Sequence, residues 1–335
     1  MDENFGKAYR PLQEALENPD SAPHRHRWLL FAFAGLLVVI SAFLIIVAPK
    51  VDPKNAGPAE VAATVFPLYD ITRNIAGNAV SVGLVLPPNA SPHTYEPSPS
   101  KLIEMRDVRL YFAIGHGLDG WADGLFGLHV DKVIVDEGVA IMSTEDRHRE
   151  GYDLGDADDE EDEDEYGETD PHYWLSIPNA KVIARNVRDA LVETFPMHEE
   201  AFERNYARYV EKLEIAEFAV RDGFSEVLKR DMITLHDSWY YFAVAYGFDI
   251  AGTFEPTAGR EPTPRYLADL SSAIERTGVR VLYSEPQIAA HGLTTFARDN
   301  GLTIAEIDPL GGVAGRDSFI GLMKYNADII RQHQD

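Results

Sequence analysis

An α/β fold of two lobes, each a mostly parallel sheet flanked by helices, is what this 335-residue chain predicts. Short apolar runs alternate with helix-patterned segments in two stretches, the pattern of strand–helix–strand units. One long amphipathic segment with no proline, Met197 to Arg230, lies between those stretches. A third feature stands apart from both: an uncharged run of 21 residues close to the N-terminus.

That run, WLLFAFAGLLVVISAFLIIVA from Trp28 to Ala48, is long enough to cross a bilayer as a helix. HRHR precedes it, with Lys7 and Arg10 further back; Lys50, Lys54 and a Pro/Gly stretch follow. The positive-inside rule places residues 1–27 in the cytoplasm as a tail, 28–48 as a single-pass anchor in the cell membrane, 49–59 as a linker, and the rest outside. A cleavable signal peptide is the competing reading, with an unusually long leading region and no clear small-x-small cleavage site.

From residue 60 to 195 the first lobe unfolds in order. VAATV is a strand running into a helix near Pro67, and SVGLVLPP is a second strand. SPSKLIEMRDV is a helix with a serine cap and Pro99 in its first turn. VRLYFAIG is a strand, LDGWADGLF a short helix and DKVIVDEG a strand. Residues 144–170 then break regularity, with twelve acids from Asp153 to Asp170 that predict a solvated, self-repelling loop. A helix resumes after Pro171. Residues 196–230 form the linking helix, with Phe202, Tyr206, Tyr209, Leu213 and Phe218 at three-to-four spacing. The second lobe, 231–335, alternates again: MITLHDS, DIAGTF, VRVLYSE and LTIAEIDPL are strands, and helices fill the gaps.

Composition removes several functions. Acids outnumber bases by 55 to 30, leaving no basic patch to neutralise phosphates, so nucleic acid is not expected as a partner. The absence of cysteine excludes disulfides, thiolate metal sites and a lipid on cysteine. A metal site here has to use histidine, carboxylate and water, a donor set that zinc, manganese and iron accept.

Four residues sit where one predicted element gives way to the next: His93, His172, His236 and Asp308. The last two follow strand ends, where ligands gather in open α/β sheets. Three imidazoles and a carboxylate suit tetrahedral zinc, but each residue alone reads equally as a turn residue. Glu96, Asp170, Asp237 and Glu285 are candidates to orient an imidazole through its far nitrogen, and Glu285 is also an alternative ligand. His116 follows a strand as well and reads as structural. Trp121, Trp174 and Trp239 read as packing.

The segments PHTYEPSPS, DPHYWLS, LHDSWYYFAVAYG and IDPL resemble, in order, the signatures of the zinc- and manganese-specific solute-binding proteins of ABC importers. The likeness runs from about residue 60 to the end. It implies two lobes joined by a rigid helix, with metal held between them by His93, His172, His236 and Asp308. It also implies capture of Zn2+, with Mn2+ or iron as alternatives, and delivery to an importer permease by a monomeric, non-enzymatic chain. Histidine at position 236, where manganese members often carry glutamate, favours zinc. The acidic loop reads either as a weak, unselective metal gatherer or as a solvated linker. A surface adhesin is a second reading. A zinc hydrolase is a poorer one, since neither HExxH nor GxSxG occurs.

Overall fold

Eight short strands make two four-stranded sheets in the computed structural model, and every strand pair is parallel. The structure describes residues 58–126, 130–143, 169–256 and 260–334. The N-terminal tail, the 28–48 segment, nearly all of the linker and residues 144–168 of the acidic loop lie outside the described residues. Among the described residues no helix is long and apolar enough to cross a membrane.

The first sheet contains β1 (Val61–Ala63), β2 (Val82–Leu84), β3 (Leu110–Ala113) and β4 (Asp131–Ile134), in the order β2-β1-β3-β4. The second contains β5 (Asp231–His236), β6 (Asp249–Glu255), β7 (Val281–Ser284) and β8 (Thr303–Glu306), in the order β6-β5-β7-β8. The same order therefore occurs twice, although the letters show no repeat. In each sheet the chain turns back at the boundary between its first and third strands. Those boundaries are the switch points where α/β sheets open a crevice beyond their carboxyl ends. The central strands are covered on both faces, which is why LYFA and MITL read as nearly continuous apolar runs.

The helices are α1 (Phe66–Ala76), α2 (Pro99–Glu104), α3 (Ile177–Thr194), α4 (Glu199–Gly223), α5 (Tyr240–Tyr246), α6 (Pro264–Thr277), α7 (Leu293–Asp299) and α8 (Phe319–His333). The predicted LDGWADGLF helix is one 3-10 segment, Gly120–Gly124. Ser176, Thr263 and Ser318 cap α3, α6 and α8 by accepting a backbone N–H three residues on. The long helix α4 has 25 residues and stops at Gly223, earlier than the 196–230 expected. Its buried stripe is Phe202, Tyr209, Leu213, Ala216 and Val220. Phe218, expected on that stripe, is 73% exposed because 216 and 220, not 218, continue the helical face.

One apolar core runs through both sheets. It joins Val61 and Phe112 of the first sheet, the inner faces of α1, α3 and α4, and Met232, Tyr283 and α8 of the second. Two smaller cores line the outer faces, one around Tyr111 and Met105 and one around Leu270 and Phe254. Polar ties cross with the central core. The buried Asp70 of α1 accepts the Phe319 N–H at 2.9 Å, putting a carboxylate at the N-terminus of α8. Tyr241 of α5 accepts from Met142 N–H and donates to the Asp170 carbonyl.

Candidate metal centre

The end of β5 delivers His236 to the switch point of the second sheet, and Glu285 follows β7 on the other side of the same boundary. Glu285 is buried and accepts from three donors: His236 Nδ1 at 3.1 Å, Ser238 Oγ at 3.0 Å and Trp239 Nε1 at 2.8 Å. A carboxylate only accepts, so Nδ1 of His236 carries the hydrogen and Nε2 keeps its lone pair. That Nε2 is buried with no hydrogen-bond partner among the described residues. Leaving such an atom buried is costly unless a ligand takes it.

His172 is built the same way from a local turn. Asp170 Oδ1 accepts both the His172 backbone N–H at 2.9 Å and its Nδ1 at 2.8 Å. Pro171 and the cap at Ser176 confine the segment between them. His93 comes from the loop after β2, whose Pro92 carbonyl accepts the Trp121 indole N–H at 2.9 Å.

These three imidazoles converge. Ring centroids are 5.5 Å apart for His93–His172, 5.2 Å for His93–His236 and 5.1 Å for His172–His236. Each offers one nitrogen, and the three nitrogens lie within 4.8 Å of one another. Two nitrogens on a tetrahedral zinc are about 3.3 Å apart, so at most roughly 1.5 Å of closure separates the group from coordinating geometry. Burial, then the neighbouring His236 and His172, pushes the His93 imidazole down to about 2. At His236 burial also works against the proton, but the Glu285 charge and hydrogen bond outweigh it, aided by Asp237 and Asp170. The net shift there is upward. Pro92, Trp174, Glu285 and Leu310 complete the wall of the small cavity beside the rings.

The family model for zinc-uptake complex component A, periplasmic (ZnuA), matches residues 61–333. The chain belongs to the ZnuA family. The zinc-binding lipoprotein AdcA of Streptococcus pneumoniae is 26% identical over 310 residues, covering 90% of this chain and 61% of AdcA. This ZnuA-family chain thus spans about three fifths of that relative. The manganese ABC transporter substrate-binding lipoprotein PsaA of the same organism is 29% identical, covering 89% of this chain and 97% of PsaA. A crystal structure of ZnuA shares the fold, with a TM-score of 0.70 at 22% identity over 83% of this chain and 100% of that one. FpvC of Pseudomonas aeruginosa with Ni2+ gives 0.68 at 18% identity, over 83% of this chain and 97% of that one.

Asp308 stands differently from the three histidines in this ZnuA-family site. It is fully buried but is not in the cluster of three. Its Oδ1 accepts Gln287 Nε2 at 2.7 Å and the N–H groups of Leu310 and Gly311 at 2.9 and 3.0 Å. Oδ2 lies 3.2 Å from Arg316 Nη1, an ion pair without hydrogen-bond alignment. Asn326 of α8 clamps the Asp308 backbone through both its N–H and its carbonyl. The turn continues through Gly311 and Gly312, both with positive φ. A Cβ on Gly311 would meet the Arg316 carbonyl at 2.9 Å, and one on Gly312 the Phe66 ring at 3.0 Å.

Of the orienting carboxylates expected, Asp170 and Glu285 hold His172 and His236. Asp237 adjoins His236 and acts on it by charge, while Glu96 is exposed in the loop after His93. His116 is not in the cluster. Its Nδ1 meets Thr169 Oγ1 at 2.8 Å and its Nε2 meets Asp136 at 3.0 Å, beside the base of the acidic segment. The three tryptophans pack as expected, and their indole N–H groups do more. Trp121 holds Pro92, Trp174 donates to the Pro309 carbonyl at 2.8 Å, and Trp239 holds Glu285. Each therefore steadies a segment next to a site residue. A buried tryptophan needs a partner for its N–H, which is the one sequence signal for this role. Nothing in the letters pointed to Gln287, Asn326 or Arg316.

Proposed function

We propose that this chain captures a divalent metal outside the cytoplasm, Zn2+ first and Mn2+ second, and delivers it to the permease of an ABC-type importer. The observation that carries the reading is the convergence of three imidazole nitrogens within 4.8 Å. His93, His172 and His236 are the first three ligands, and Asp308 is the fourth donor through Oδ2. Glu285 and Asp170 orient His236 and His172, which fixes the tautomer and raises ligand basicity. An imidazole-rich set favours zinc over manganese. The names of AdcA, a zinc-binding lipoprotein, and PsaA, a manganese transporter component, support both the role and the pair of candidate metals.

Residues 60–195 and 231–335 act as lobes on either side of the linking helix, and the chain works as a monomeric transport component rather than an enzyme. Residues 28–48 serve as an uncleaved, single-pass membrane anchor. Both relatives are named lipoproteins, and this sequence has no cysteine to carry a lipid, so an apolar helix supplies the tether instead. Protease protection of the N-terminal tail in sealed cells tests that arrangement.

Elemental analysis and competition titration of the purified chain test the capture role. About one zinc per chain is expected, lost in His93→Ala, His172→Ala and His236→Ala. A chain that holds no transition metal tightly refutes the proposal.

A further inference from the structure

We propose that Arg316 sets the metal preference of this site by holding Asp308 away from the three imidazoles. The inference rests on the capture role proposed above and adds a specificity residue to it. Asp308 Oδ1 is committed to Gln287 and to two backbone N–H groups of its own turn, so only Oδ2 can turn to a metal. That oxygen is the one paired with Arg316, at 3.2 Å.

The guanidinium is itself well held. The same Nη1 reaches Glu306 Oε1 at 3.1 Å, and the group lies 4.7 Å over the Tyr325 ring. Its side chain is only 15% exposed. The Arg316 backbone closes the turn, accepting from Gly312 N–H and donating to the Val313 carbonyl. Arg316 and Asp308 thus belong to one folded loop, which Gln287, Tyr325 and Asn326 steady from neighbouring segments.

A metal entering the site meets three imidazoles first. Recruiting Asp308 means separating it from Arg316. Zinc is held well by three imidazoles, and a water can take its fourth position. Manganese binds nitrogen more weakly and draws its hold from carboxylate oxygen. Competition from Arg316 for Asp308 Oδ2 therefore weakens manganese more than zinc. Loss of a nearby positive charge acts equally on both divalent ions, so the ratio of affinities, not either affinity alone, reports the effect.

The test is separate competition titration of Zn2+ and Mn2+ on the full chain as wild type, Arg316→Gln, Asp308→Asn and the double variant. Arg316→Gln should raise Mn2+ affinity about fivefold and Zn2+ affinity less than about twofold, the scale of one partly exposed ion pair. The shift in ratio should vanish when Asp308→Asn is also present. Arg316→Lys, which keeps the cation, should retain the wild-type ratio. Equal rises for both metals, or a ratio shift that survives Asp308→Asn, overturn this inference while leaving metal capture intact. Failure of the wild-type chain to bind either metal overturns both.

Discussion

Glu285→Gln separates two jobs of one carboxylate. In the wild-type chain Glu285 accepts from His236 Nδ1 and raises the pKa of the ring. When pH falls through that raised value, His236 gains a proton on Nε2, the atom a metal would use. Metal then has to displace one proton, so apparent affinity falls about tenfold per pH unit. His93 adds nothing to this slope near neutrality, because its own pKa lies at about 2. In Glu285→Gln the charge is gone and burial dominates, which lowers the His236 pKa. The affinity profile should then stay flat to lower pH, on a plateau about 10- to 100-fold below wild type, the usual cost of losing a ligand's hydrogen-bond acceptor. The two curves should converge in acid. The substitution also leaves donors from Ser238, Trp239 and His236 competing for one oxygen, at about 1–3 kcal/mol for each left unsatisfied. Thermal unfolding of the metal-free variant should register that cost. Competition titration of zinc at intervals from about pH 5.5 to 8.5 reads the profile. Parallel curves, displaced but with the same slope, would refute the assignment of the competing proton to His236.

His236→Ala should abolish tight zinc binding, since it removes a ligand whose Nε2 is buried with no hydrogen-bond partner among the described residues; unchanged affinity in the same titration would sink its role. Deleting residues 153–168 should slow or weaken metal uptake only modestly, whereas a deletion extended through Asp170 should cost far more, because Asp170 holds His172; stopped-flow zinc binding distinguishes the two. His93 also predicts an acid effect on stability. Between pH of about 2 and its ordinary value near 6.5, the unfolded chain binds a proton that folded His93 refuses. Stability therefore rises with pH across that window, by up to about 1.4 kcal/mol per unit from this group. Metal-free His93→Gln should lose less stability than wild type on going from neutral pH to about pH 4.5, as followed by denaturant titration, and identical losses would contradict the shift.

Much of the fold is legible in the letters because buried parallel strands are written as apolar runs. The central strands could be named that way, the more exposed edge strands β2, β4 and β8 by the alternation around them, and caps and prolines marked most helix starts. The repeated strand order was not legible, because LYFA and VLYS satisfy the same position with different residues. The end of α4 at Gly223 and the exposure of Phe218 depended on which face met α1 and α3, a tertiary choice. At the site, the three histidines could be grouped by their places at element ends. Asp170 is two residues from His172, so its pairing is local; Glu285 is 49 residues from His236 and meets it only across β5 and β7. Asp308 looked equivalent to the histidines, yet its neighbours Leu310, Gly311 and Arg316 engage both of its oxygens. Short-range turn chemistry of that kind competes with ligation and leaves no periodic trace.

The distribution of packing also says where motion during capture and release has to occur. The central core includes Phe112, Trp174, Phe202, Tyr209, Trp239, Phe319 and Tyr283, all nearly or wholly buried and drawn from both sheets and from α4. Separating the sheets would expose several of these at about 2–3 kcal/mol each. Moving a single turn is far cheaper. Pro92 is tied to Trp121 by one indole hydrogen bond, worth about 1 kcal/mol, whereas the turn after Asp308 is held by Trp174, Gln287, Asn326 and its own backbone. The turn bearing His93 can therefore shift while the core, the carboxylate-held His172 and His236, and the Asn326-clamped Asp308 stay in place. Under the proposed delivery role, a permease partner would empty the site by acting on that turn, because a wide hinge opening of the kind seen in flexibly linked binding proteins costs far more.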